Sequence, residues 1–490
     1  MSPEQLRVIK DNQDSIFDQL TIEEEEQQPN IHEYPIDGKF AIISSFCAMF
    51  LSVSSWGVNS AFGVFLNFYL TSDTFPGTSQ YDYALVGGMV VFFGQLLASI
   101  SIILYKLFGF KKITFIGIIL QTIAYLLASF AVKFWQLFMT QAVLVGVSFA
   151  MIFVPATVVL PTWLNKRKAT GLGICFSGAG FGGVIFSLVI NSLITKTGDQ
   201  KWALRMCAIV TFVMSCISIS IMRERRDVKV IKRPKLSIQS VIDISKQIFD
   251  LSVFKAYAIK LICVYYTIAV FAYISILFSM ASYAKSLGLN YNQSSALTSI
   301  INGVQVIARP GMGLIGDKIG RINITASISI LFAIILYGYW INATTYGSLI
   351  GCCVLIGMFI GVGGTMPQIV ASDLIILDGI PDKFPAVWSG MNLVSCWFCL
   401  VAEVISLAMV RYNSNRPFLH TQIFLASCFI VCFLIMLVIR EWAVKRTIEQ
   451  RLTSLESSTT EQDQLIKKYK DLLSSGFIPY LRRMFNIIKV

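Results

Sequence analysis

Apolar runs, each near the roughly 20 residues a bilayer requires, recur along the chain between short polar or charged breaks. They predict twelve transmembrane helices, over 40–68, 83–105, 112–132, 135–160, 168–194, 203–222, 254–281, 294–316, 322–341, 347–372, 385–410 and 419–439. Two sets of six flank a charged stretch from Arg223 to Lys255, the layout of a carrier built from two parallel six-helix halves. The expected organisation is a polar, acidic, disordered tail at 1–36, a first half at 37–222 and a linker at 223–253. A second half follows at 254–440, and a tail at 441–490. From Gln464 the second tail alternates basic and apolar residues through Leu481-Arg-Arg-Met-Phe. That pattern fits either an amphipathic helix on anionic lipid or a solvated tail.

Composition agrees with an all-α membrane protein. Of 490 residues 55% are hydrophobic and 14% charged, with mean hydropathy +0.68, whereas soluble domains carry about 25% charged residues. The formal charge of +12 is accounted for by loops rather than by nucleic-acid binding. Lysine and arginine concentrate at Lys106/Lys111/Lys112, at Lys166-Arg167-Lys168, in the linker and at Lys318/Arg321. The loop from Thr71 to Tyr81 has none. The positive-inside rule therefore places both termini in the cytoplasm. Asn292 and Asn342 then fall outside as glycosylation acceptors, while the Asn323 sequon falls inside. No signal peptide precedes the first run. The eleven cysteines lie in or beside apolar runs and read as free thiols, Cys396-x-x-Cys399 included. With only two histidines, His32 and His420, no metal-holding cluster is expected, and no cofactor or enzymatic set either.

One charge sits where composition least allows it. Arg309 interrupts the apolar run Ala296–Ile315, which closes in the turn Gly316-Asp317-Lys318-Ile319-Gly320-Arg321. A charge at membrane depth costs about 2.5–3.5 kcal/mol on insertion scales, so it marks an anion site or a snorkelling side chain. Asp317 lies about 12 Å farther along the helix, far for a snorkel. Glu403 is the matching oddity in the eleventh run, either a proton-coupling carboxylate or a group facing a watery mouth. At about 1.5 Å per residue it stands roughly 15 Å from Arg309 in depth, too far to pair directly. Asn59 and Gln305 are polar groups on membrane runs, able to contact a solute or to bridge helices. Gly178-Ala-Gly180-Phe-Gly182-Gly183 matches G-x-G-x-x-G but lies inside a membrane run without a preceding strand, so close helix packing is expected instead of a nucleotide. Gly361-Val-Gly-Gly364 and Met366-Pro367 predict a bend in the tenth helix.

Trp163-Leu-Asn-Lys-Arg-Lys-Ala-Thr-Gly-Leu-Gly through Gly183, Asp37-Gly38 at the first helix and the Arg309–Arg321 stretch together resemble the monocarboxylate porter family of the major facilitator superfamily. Trp56-Gly-Val-Asn-Ser-Ala-Phe-Gly resembles its fungal branch. The resemblance spans about 37–440. It implies the major facilitator fold and a secondary transporter that alternates access to a small monocarboxylate-like anion, with Arg309, Asn59 and Gln305 at the substrate. It also implies a conformational role for Gly316, Asp317, Gly320, Arg321, Lys166 and Arg167. The related turn Tyr105–Lys112 lacks the aspartate. Two features depart from the proton-coupled pattern. Gln305 stands where an aspartate is expected one turn before Arg309, and no lysine occurs from Phe40 to Leu70. Glu403 is then the remaining proton candidate. A facilitator, a carrier of a neutral or larger metabolite such as riboflavin, and a non-transporting membrane sensor are the alternatives. The plasma membrane is the expected location, with the vacuolar membrane second. Solute, bilayer and protons are the expected partners, and these patterns specify no oligomeric state.

Overall fold

A computed structural model describes residues 35–72, 74–225, 237–411, 414–456, 469–474 and 476–485. The helices are α1 (Lys39–Leu66), α2 (Gln80–Leu96), α3 (Ala98–Phe108), α4 (Phe110–Ala128), α5 (Phe134–Trp163), α6 (Lys168–Thr197) and α7 (Lys201–Ile221). A short linker helix, α8 (Ile238–Ile248), is followed by α9 (Tyr257–Ser286), α10 (Tyr291–Ile319), α11 (Arg321–Asn342), α12 (Tyr346–Leu377), α13 (Pro381–Ala408), α14 (Leu419–Glu456) and α15 (Phe477–Phe485). Among the described residues ten helices are long and apolar enough to cross a bilayer. The pair α2/α3, bent by 46°, makes an eleventh if counted as one span. α10 has 29 residues but is not among them, because Asn302, Gln305 and Arg309 interrupt it.

The ends of these helices follow local chemistry. Ser79 and Asp82 form a reciprocal cap on α2, and Asn290 with Gln293 does the same for α10, so the first orphan N–H groups are satisfied where the helices enter polar surroundings. Gly320 has φ 114° between α10 and α11, and Gly109 has φ 87° between α3 and α4. Both turns need a residue without Cβ to reverse the chain in one step. The helical pattern of α12 is interrupted at Ile360–Gly361, where the Gly361-Val-Gly-Gly364 motif begins, and Pro367 lies inside the second stretch. α1 and α5 instead carry π-helical stretches, Val53–Gly57 and Phe138–Leu144, which no spacing in the sequence announces.

Two seams join the helices before α8 to those after it. The more extensive is α6 against α10, and the other sets α2 and α3 against α13. Small residues make the first seam: a Cβ at Gly173 would lie 2.6 Å from the Arg309 carbonyl oxygen, and one at Gly180 2.4 Å from that of Asn302. α6 turns Gly178 and Gly182 the other way, onto Met49 and Gly57 of α1. The glycine-rich motif is thus a helix-packing surface, as its place in a membrane run requires. Polar pairs hold the second seam: Ser99 to Ser389 at 2.5 Å and Ser395 to Gln95 at 2.6 Å.

The tail expected at 1–36 lies outside the described residues up to position 34, and the described part of the other tail is helical. α14 continues to Glu456, well beyond the 439 expected for the last span, and α15 folds back on it. Arg483 forms a buried pair with Glu441 at 2.5 Å, while Arg440 donates to Asn323 Oδ1 at 2.6 Å and to the Met484 carbonyl. The described part of the tail thus packs on α14 through Arg483, while Ile478 and Leu481 stay exposed. The linker likewise contains α8, set against α3 and α13. All eleven cysteines are free.

Candidate functional site

Arg309 is buried at the α6/α10 seam and is shared between the two groups of helices. Its Nη1 donates to the Phe176 carbonyl of α6 at 2.6 Å, and its Nη2 donates to Tyr273 Oη of α9 at 3.3 Å and to Gln305 Oε1 one turn earlier. The guanidinium lies 5.7 Å from the Tyr273 ring centroid. Nε, also buried, has no partner. Gly361, at the α12 break, gives room for the side chain, because a Cβ there would lie 2.9 Å from Arg309 Cγ. The charge is held inside the bundle by neutral acceptors. Neutral acceptors leave its positive charge uncompensated locally, which favours a negatively charged visitor.

Aromatic side chains continue the site into the first half. Phe176 packs on Phe153 at 5.4 Å, and Phe153 on Trp56 at 5.9 Å. Trp56 belongs to the π-helical stretch of α1 and its buried Nε1 has no partner. On the other side Thr365 Oγ1 and Gln368 Oε1 of α12 and Trp388 Nε1 of α13 are also buried and unpartnered. Buried polar atoms are nearly always satisfied; others without a hydrogen-bond partner, Ser44, Thr114 and Trp340 among them, lie on α1, α4 and α11. Open depressions on the described surface lie beside Ser245–Ser252 and on the α11/α14 face at Ile330 and Ile430.

The seam is latched at the end carrying both described termini. Asp317 accepts from Ala169 N at 3.1 Å and from Thr170 N and Oγ1 at 2.9 and 2.7 Å, capping the start of α6 from the opposite group of helices. Arg321 pairs with Asp317 at 2.9 Å and with Asp373 at 2.8 Å, and donates to the Asn165 carbonyl at 3.0 Å. Lys168 reaches Ser372 Oγ at 3.2 Å, and Gln368 donates to the Thr157 carbonyl at 3.0 Å. The loop before α6 is braced in turn by Asp37, which accepts from the backbone of Asn165, Lys166 and Arg167.

The residues expected from the sequence divide accordingly. Arg309 and Gln305 come together. Among the described contacts Asn59 shares none with Arg309; it follows Gly57 on the part of α1 that packs against α6. Asp317 and Arg321 form the latch, with Gly316 and Gly320 shaping its turn. Lys166 and Arg167 contribute backbone N–H groups to Asp37, and the buried basic group there is Lys168. Glu403 and Asn292 lie on α13 and α10 with side chains outside the described residues; Asn342 is an exposed helix-end residue. Sequence reasoning missed Tyr273, Asp373 and the role of Asp37. Tyr273 and Asp373 are ordinary residues on their own helices, Asp37 sits in the turn before α1 with φ 56°, and each acquires its partner from a distant segment.

A multi-pass helical bundle with a buried cation at the junction of two groups, and a charged latch at one end, defines a membrane solute carrier. Comparison with known proteins agrees: the Major Facilitator Superfamily profile matches residues 44–402, and the chain belongs to that family. It is 35% identical to the "Uncharacterized transporter ESBP6" of Saccharomyces cerevisiae, over 94% of this chain and 70% of that protein. It is 28% identical to the "Probable transporter MCH2" of the same yeast, over 88% of each chain. The structure resembles the human organic anion transporter MFSD10 (TETRAN), with TM-score 0.57, 12% identity, and 81% and 97% of the two chains covered. It also resembles the E. coli fucose:proton symporter FucP in its outward conformation, with TM-score 0.58, 14% identity and the same coverage. These two likenesses establish the fold.

Proposed function

We propose that the chain is a twelve-span secondary transporter, with α2/α3 as one bent span and α10 as the polar one, that moves a small monocarboxylate-like anion between the two groups of helices. The observation that carries this reading is Arg309: a buried guanidinium held only by neutral acceptors, one of them on the opposing helix group, with Nε left for a ligand. A carboxylate entering beside it would take over these donors, and contacts that now bridge α6 and α10 would change with occupancy. That links binding to movement of the seam. The latch at Asp317 stabilises the state closed at the terminus-bearing end, which loop charge assigns to the cytoplasm. Plasma-membrane residence and proton coupling through Glu403 complete the proposal.

The test is uptake by proteoliposomes containing the purified protein, screened against labelled carboxylates and flavins. Arg309→Gln is expected to insert and fold yet lose uptake of the anionic solute. Arg309→Lys should also be impaired, because an ammonium lacks the planar fork that reaches Phe176 and Gln305 together. Normal uptake by correctly folded Arg309→Gln would end the anion-site reading. A larger aromatic metabolite such as riboflavin is the second reading, favoured by the Trp56–Phe153–Phe176 chain and the unpartnered Trp56 Nε1.

A further inference from the structure

The linker helix α8 has three faces. At 3.6 residues per turn, positions 244 and 248 share one side, 239 and 243 a second, and 238, 242, 245 and 249 a third. Ile244 and Ile248 are buried against the ends of α3 and α13. Gln239 and Asp243, hydrogen-bonded to each other at 3.0 Å, face water. The third face is apolar and uncovered: Ile238 is 81% exposed and Phe249 50%, with Ile242 between them and Leu251, 78% exposed, just beyond. An open depression of about 610 Å³ runs along its lower end, lined by Lys246, Phe249 and Leu251 among others.

We propose that this third face of α8 docks into the adjoining bilayer leaflet, with anionic lipid as its partner. Two observations select lipid over another occupant. The sequence leading into the helix, Arg223 to Lys235, is dominated by arginine and lysine, and Lys246 and Lys255 follow. Such a segment beside an apolar stripe is drawn to negatively charged headgroups. The helix also packs on α3 and α13, whose own uncovered residues, Ile100, Val394, Trp397 and Phe398, already belong to the apolar surface of the spanning bundle. The stripe of α8 extends that surface at the end of the seam. Because the linker joins the two helix groups, its lipid contact anchors the strap between them at the membrane plane. Asp250 pairs with Lys383 of α13 at 2.8 Å and fixes the strap's far end.

The full-length protein in nanodiscs tests this. Nitroxides are placed at Ile238→Cys and, separately, at Asp243→Cys, and relaxation by oxygen is compared with relaxation by a water-soluble nickel chelate. Background labelling is measured on the native protein. In phosphatidylcholine/phosphatidylserine discs the 238 label should favour oxygen several-fold while the 243 label favours the chelate. Replacing the serine lipid with neutral lipid should reduce the contrast. Equal, water-like accessibility at both positions would overturn the proposal. So would a 238 label that is shielded irrespective of lipid charge and exposed on dilution with unlabelled protein, which would assign the face to a second copy of the chain. If Ile238→Cys does not fold, Phe249→Cys reports on the same stripe.

Discussion

Asp317→Asn probes the latch with minimal change of shape. The carboxylate is only 8% exposed and receives donors from Ala169, Thr170 and Arg321. An asparagine retains one acceptor oxygen and replaces the other with a donor, so Thr170 N loses its acceptor and Thr170 Oγ1 exchanges a charged acceptor for a neutral amide donor. Arg321 keeps Asp373 and is not stranded as an unpaired buried charge. Each hydrogen bond to a charged group contributes about 1.5–3 kcal/mol. Loss of the Thr170 N interaction, with weakening of those to Thr170 Oγ1 and the arginine, is thus worth about 3 kcal/mol, a factor of about 150 in the balance between closed and open states. The helices at the terminus-bearing end should separate. Double electron–electron resonance between nitroxides at Lys111→Cys and Lys318→Cys reads this directly: a single short distance in the native background, and a second, longer population in Asp317→Asn. Superimposable distance distributions, together with unchanged uptake, would refute the latch assigned to Asp317.

Further outcomes follow from the same geometry. Gly173→Ala places a methyl against the Arg309 carbonyl and should cost about 1–3 kcal/mol as the seam is forced apart, seen as a lower melting temperature of the purified carrier; an unchanged melting temperature contradicts the close packing. Arg483→Ala leaves Glu441 buried without its cation, a loss of about 3–5 kcal/mol, and should release α15. Hydrogen exchange across Phe477–Phe485 should rise while that in α6 and α10 does not. Acid-stimulated, accumulative uptake is expected in the native protein and should be lost in Glu403→Gln. Uptake that stays flat with pH and never exceeds equilibrium makes the protein a facilitator, and acid stimulation surviving in the variant moves the proton elsewhere.

Much of this molecule is legible along the chain because a bilayer enforces a local rule. Backbone polar groups must be satisfied within each span, so apolar length predicts helices without knowledge of their neighbours. The same rule makes Arg309 conspicuous, makes the Gly178–Gly183 motif a packing surface, and marks the Gly316–Arg321 turn by its charges and glycines. The tertiary structure decided what those residues meet. α10 is the most polar of the spans expected from the apolar runs yet is central to the fold, because its polar side is turned toward α6, α9 and α12. Arg309 finds Phe176 and Tyr273 on helices 133 and 36 positions away in sequence, and Asp317 finds the start of α6. The π-helical stretches and the fold-back of α15 are likewise invisible in one-dimensional periodicity. Burial from water can be read from single helices; the pairing of polar atoms depends on which helices the fold brings within about 3 Å of each other.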